Sequence, residues 1–122
     1  MHDVQQQFNG DPTRTFLTGF SFGGNGVFDL ALAQPGTWSA IWAVDPTRVP
    51  PRRPVMPIWL SFGEIARHRK QIFIDVLDLK PAGVDPSAPG VFDDTGQDHV
   101  GSARLAYQSE QIYRWLLARS RR

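Results

Sequence analysis

Residues 14–26 read Arg14-Thr15-Phe16-Leu17-Thr18-Gly19-Phe20-Ser21-Phe22-Gly23-Gly24-Asn25-Gly26, and this stretch decides the fold. Arg14 to Thr18 is a short β-rich run that stops at Gly19. From Gly26 the spacing turns helical through Val27, Leu30, Ala31 and Gln34, up to a Pro35-Gly36 break. Strand, tight turn and helix follow one another, and Gly19 to Gly23 fills the turn with the pattern G-x-S-x-G. Such a turn holds its serine in strained backbone above a sheet edge, so the flanking residues must be small enough to clear the neighbouring strand and helix. The helix that begins here points unpaired N–H groups toward Ser21, and Phe22 is placed to donate one of them to an oxyanion. The bland alternative is a glycine-rich turn with a solvent-facing serine. A phosphate-loop reading of Gly19 to Gly24 fails at Asn25, which stands where a lysine is required.

Downstream the pattern repeats. Trp38 to Val44 is an apolar run without clean alternation, as expected of a strand covered on both faces, and it ends at Asp45-Pro46. Pro46, Pro50, Pro51, Pro54 and Pro57 make the next stretch a strap rather than a helix. Val55 to Phe62 reads as a third strand ending at Gly63, followed by a helix over Ile65 to Leu79. Lys80 to Pro89 reads as loop, Gly90 to Asp93 as a short last strand, and Asp94 to Gly101 as a polar loop. A final helix is expected over Ser102 to Arg119, with Ser102 as its N-cap. Strands alternating with helices imply βαβ units, so the expected class is α/β: one domain over residues 1–122, with a parallel sheet of three to four strands flanked by helices.

The composition adds exclusions. A chain of 122 residues fits one domain, which buries roughly two-thirds of the surface its unfolded form exposes. A formal net charge of +1 gives no general attraction to nucleic acid or anionic membranes, and the absence of cysteine rules out disulfides and thiolate chemistry. Apolar runs fall far short of the roughly 20 residues that a membrane span needs. No export signal is visible after Met1, which favours the cytoplasm if Met1 is the true start. Neither a metal nor a cofactor site is apparent, so no cofactor is expected.

Of the three histidines, His2 is terminal and His68 lies in a cationic run with Arg67, Arg69 and Lys70. His99 follows the last candidate strand and precedes the last helix, which suits the chain order serine, acid, histidine. In that order His99 is the general base that takes the proton of Ser21.

Asp11-Pro12-Thr13-Arg14-Thr15-Phe16-Leu17-Thr18-Gly19-Phe20-Ser21-Phe22-Gly23-Gly24 resembles the corresponding segment of α/β-hydrolase esterases related to polyhydroxybutyrate depolymerases, feruloyl esterases and predicted peptidases. Pro57 to Gly63 is similar to that family's penultimate core strand, and His99 through Tyr107 to Leu117 is similar to its closing helix. The resemblance implies a partial α/β-hydrolase fold, running from the fifth strand to the last helix. It also implies that the second oxyanion donor belongs to an earlier loop outside this chain. The family's acid stands three residues after the glycine that ends the penultimate strand, and Ala66 occupies that position here. Glu64 is nearby, and Asp45 ends the preceding strand, a place that some lipases of this fold use; both stay open as the acid, with Asp93, Asp94 and Asp98 as lesser candidates.

The expected function is hydrolysis of small-molecule carboxylic esters through an acyl-enzyme on Ser21. The alternative is a truncated or impaired hydrolase-fold module that acts in assembly or binding, with self-association or pairing through an exposed strand edge at Arg14 to Thr18. Phe20, Phe22, Trp38, Trp42 and Trp59 are candidates for an apolar pocket, although such residues more often form core.

Overall fold

The computed structural model describes residues 16–82, 88–94 and 96–118. In chain order they form β1 (Phe16–Phe20), α1 (Phe22–Ala33), β2 (Ala40–Val44), β3 (Ile58–Phe62), α2 (Glu64–Arg67), α3 (Lys70–Leu77), β4 (Lys80–Pro81), β5 (Gly90–Asp94), α4 (His99–Tyr107) and α5 (Glu110–Leu117). The strands make one sheet in the order β1-β2-β3-β5-β4, and every pairing is parallel. The α/β class is as expected, but the sheet has five strands rather than three or four. The extra one is the two-residue β4, hidden in a Pro- and Gly-rich stretch where no periodicity can show.

Every residue of β2 (AIWAV) and β3 (IWLSF) is buried, because helices cover both faces. Alternation along each strand sorts the side chains into two layers. Leu17, Ile41, Ala43, Ile58, Leu60 and Phe62 pack against Val27, Phe28 and Ala31 of α1 and Phe73 and Leu77 of α3. Phe16, Trp42, Val44, Trp59 and Val91 pack on the opposite face against Ala106 of α4 and Ile112, Trp115 and Leu116 of α5. Trp59 meets Trp115 edge to face at 5.6 Å, and Trp42 lies between Tyr107 and Tyr113. Trp38, Trp42 and Trp59 are therefore core residues, not pocket walls.

Two helices expected as single pieces are each divided. The run after β3 breaks at His68-Arg69, and the closing helix breaks at Gln108-Ser109, where the Ser109 hydroxyl accepts the Ile112 N–H and caps α5. No helix of the described residues is long and apolar enough to cross a membrane. His2 and the stretch before Phe16, with the strand edge expected at Arg14 and Thr15, lie outside the described residues.

Register sets the working end of the sheet. Phe20 pairs with Val44, Val44 with Ser61, and Ser61 with Asp93. The strands thus end level, and the residues that follow them converge on one carboxyl edge, where parallel sheets hold their ligands.

Leu60 is fully buried at the centre of β3, opposite Ala43 and Phe92. Leu60→Ala is expected to lower the unfolding free energy by about 2–5 kcal/mol through lost burial and a residual cavity, as read from a urea denaturation midpoint.

Candidate active site

Ser21 stands between β1 and α1 at φ 61° and ψ −120°, a backbone region that costs a non-glycine residue about 1–3 kcal/mol. The fold pins it from both sides. Its N–H donates to the Val44 carbonyl at 3.0 Å, and its own carbonyl accepts the Asn25 N–H at 3.2 Å. The glycines of the motif are needed for space. A Cβ on Gly19 would stand 2.3 Å from the carbonyl oxygen of Gly23, where helix and strand meet. Phe22 is the first residue of α1, so its N–H has no acceptor within the helix.

His99 faces this serine. Its Nε2 lies 3.0 Å from Ser21 Oγ and its Nδ1 lies 2.5 Å from Asp45 Oδ2. An ionised carboxylate only accepts, so Nδ1 carries the proton and Nε2 is left to accept from the serine hydroxyl. The imidazole side chain is 29% exposed while Asp45 has no exposed surface, so solvent can approach the serine side of the site but not the acid. The ring also stacks on Phe20, with centroids 4.5 Å apart and planes inclined by 34°.

His99 is not in a loop, as the sequence suggested, but is the first residue of α4. Asp98 caps that helix by accepting the Gly101 N–H at 2.7 Å. Ser102, expected as the cap, is instead buried inside α4, where its hydroxyl donates to the His99 carbonyl at 2.7 Å. The capping pattern was misread because Asp98 and Ser102 are both good cap residues.

Of the two main acid candidates, Asp45 meets His99 and Glu64 does not. Glu64 is exposed at the start of α2, where a carboxylate suits the helix dipole. Asp45 follows β2 at φ 43° and is fully buried. Its Oδ1 accepts from the N–H groups of Gly63 at 3.0 Å and Ala66 at 2.6 Å, and its Oδ2 from Ile65 N–H at 3.2 Å as well as from the imidazole. A buried carboxylate needs such partners. Gly63 makes the approach possible, since a Cβ there would come within 2.7 Å of the Asp45 carboxyl and 2.4 Å of Ser102 Oγ. Ala66 offers its N–H to Asp45, while its methyl group packs into the apolar layer under α1.

The lesser acid candidates have other work. Asp93 accepts from Trp59 Nε1 at 2.6 Å and Ser61 Oγ at 2.8 Å, and burial holds its carboxyl above the usual carboxylate range. Asp94 takes a two-pronged hydrogen bond from Arg67, whose guanidinium also donates to the Gln97 carbonyl at 3.2 Å. This clasp ties α2 to the approach to His99, and in the sequence Arg67 is only one member of a cationic run. Its only sign was the charge spacing across a loop of unknown path. Among the described residues no group of three or more His, Asp and Glu side chains is arranged to hold a metal ion.

No protein-family model matches the chain, and no curated protein matches it. Among solved structures, that of a thermostable esterase superposes with a TM-score of 0.72 at 19% sequence identity, covering 94% of this chain and 33% of the esterase. The likeness establishes the fold: an α/β-hydrolase-like partial fold, with a five-stranded parallel sheet flanked by helices. The chain spans about a third of that esterase's length.

The Asp94 clasp makes stability depend on acid. Arg67 holds the Asp94 carboxyl down to about 2, from an ordinary 3.8, so its contribution is complete above the ordinary value and is lost as pH falls through about 2. Asp94→Asn is therefore expected to be less stable than the parent at neutral pH and to lose less stability between about pH 4 and pH 2. Urea unfolding of both proteins across that range checks the sign.

Proposed function

We propose that this chain carries the nucleophile, base and acid of a serine hydrolase that cleaves carboxylic esters through an acyl-enzyme. The observation that carries the reading is the continuous line Ser21 Oγ, His99 Nε2, His99 Nδ1, Asp45 Oδ2, with contacts of 3.0 and 2.5 Å at its two ends. Ser21 Oγ attacks the ester carbonyl carbon as Nε2 takes its proton, forming the C–O bond to the enzyme. The oxyanion that results lies toward the start of α1, where the Phe22 N–H donates to it. Collapse breaks the bond to the alcohol, which leaves with the proton from Nε2. Water then repeats the sequence on the acyl-enzyme, releasing the acid and restoring Ser21. Asp45 keeps its charge throughout, holding the Nδ1 tautomer and stabilising the imidazolium.

The likeness to part of an esterase supports the choice of reaction class, and the exposed Phe22 and half-exposed Phe20 beside the serine suit an apolar ester group. A non-catalytic module has two grounds, the first being that Ala66 stands at the family's acid position, and the Asp45 contact supports the hydrolase reading against it. The other ground remains as part of the proposal. β1 lies at one edge of the described sheet although Phe16 to Gly19 are buried, and the resemblance puts the second oxyanion donor in an earlier strand loop. The working enzyme therefore places further strands beside β1.

A fluorophosphonate probe is expected to label Ser21 and to leave Ser21→Ala unmarked; a folded, full-length protein that stays unlabelled would contradict the proposal. Asp45→Asn, which favours the wrong imidazole tautomer, is expected to slow labelling by about three to four orders of magnitude, measured by mass spectrometry over time.

A further inference from the structure

Asn25 is the one polar side chain of α1 that is buried, and it joins the two strained turns of the site. Its backbone N–H donates to the Ser21 carbonyl. Its side chain turns to the segment after Asp45: Oδ1 accepts from Thr47 N–H at 2.9 Å and Arg48 N–H at 3.1 Å, and Nδ2 donates to Thr47 Oγ1 at 2.6 Å. The need for such a brace follows from the backbone. Asp45 sits at φ 43°, in the left-handed region that L-residues rarely adopt. On its N-terminal side the β2 ladder holds it, through its N–H to Ser61 carbonyl bond at 2.8 Å. On its C-terminal side Pro46 has no N–H to offer, so the first two amides able to fix the turn are those of Thr47 and Arg48. Asn25 takes both. The neighbouring Gly24 lets the helix come close, since a Cβ there would lie 3.2 Å from Pro46 Cβ.

We propose that Asn25 is the positioning residue for the acid: it fixes the turn at residues 46–48 and so holds the Asp45 carboxylate in line with His99 Nδ1. The proposal rests on the Ser21, His99 and Asp45 reading. It explains why a carboxylate at the end of β2 can serve where the resemblance leads one to look after β3. An acid on a turn with reversed backbone sign needs an external hold, and Asn25 supplies three hydrogen bonds from the same helix that begins at the nucleophile.

The test compares the parent protein with Asn25→Ala, Thr47→Val and Thr47→Ser. Fluorophosphonate labelling is expressed per folded molecule, and the far-downfield proton NMR signal of the His99 Nδ1–H reports its bond to Asp45. Asn25→Ala is expected to slow labelling by about tenfold to a hundredfold, the scale of a small misplacement in a catalytic group, and to shift or broaden the imidazole proton. Thr47→Val, which removes the hydroxyl that accepts the 2.6 Å bond and keeps the Thr47 N–H that donates to Asn25 Oδ1, is expected to slow labelling by about threefold to tenfold. Thr47→Ser keeps the hydroxyl and is expected to match the parent. Labelling at the parent rate in both Asn25→Ala and Thr47→Val, with the imidazole proton unmoved, overturns the proposal. If the parent itself is not labelled, the hydrolase reading has failed instead, and the imidazole proton still decides whether Asn25 holds Asp45 against His99.

Discussion

A carboxylate with no exposed surface organises the polar end of this sheet. Taking an ion out of water costs several kcal/mol unless its environment returns the lost solvation, and Asp45 meets that demand with three amides and an imidazole. The donors come from separate parts of the chain: the end of β3, the first turn of α2 and the first residue of α4. Each must stand where it does for the carboxylate to be satisfied. The four-residue α2, too short to be stable by itself, has two of its N–H groups, those of Ile65 and Ala66, occupied by the same charge. Gly63 has no side chain because the carboxyl passes through the space a Cβ would fill.

The sequence declared the fold where a strong local rule applied. G-x-S-x-G between a strand and a helix left few choices for residues 16–33, and the unbroken apolar runs of β2 and β3 announced strands covered on both faces. Boundaries were less legible. Arg69 and Ser109 interrupt helices whose apolar spacing continues across the break, so periodicity alone joined α2 to α3 and α4 to α5. The two-residue β4 exists only because β5 lies beside it, and no local pattern announces a pairing of that kind.

Within the site, Ser21 and His99 were legible because a turn motif and a chain order point to them. The Asp45 contact was not, because it depends on which carboxyl the sheet register brings beneath His99. Asp45 follows Val44, and Val44 is level with Phe20; that alignment is a property of the sheet and appears nowhere in the local sequence. Glu64 stands nearly equal to Asp45 in the sequence, and the fold leaves it exposed at the start of α2. The aromatic residues divided for a similar reason. Strand alternation sends Trp42 and Trp59 under the closing helices, whereas Phe20 and Phe22 flank the end of the strand and stay near the serine.

The all-parallel sheet fixes an order of assembly. No two of its strands can be joined by a hairpin, so each pairing must wait for an intervening crossover to close, which makes such topologies slow to form. Ser21, Asp45 and His99 belong to the beginning, middle and end of that sequence. During synthesis, when chains emerge from the N-terminus onward, the serine turn and the acid turn can meet while α4 is still unmade. Ser21 then has no imidazole beside it until His99 arrives with α4. In a nascent chain of this kind the strained turn at Ser21 takes shape before the histidine that faces it has been made.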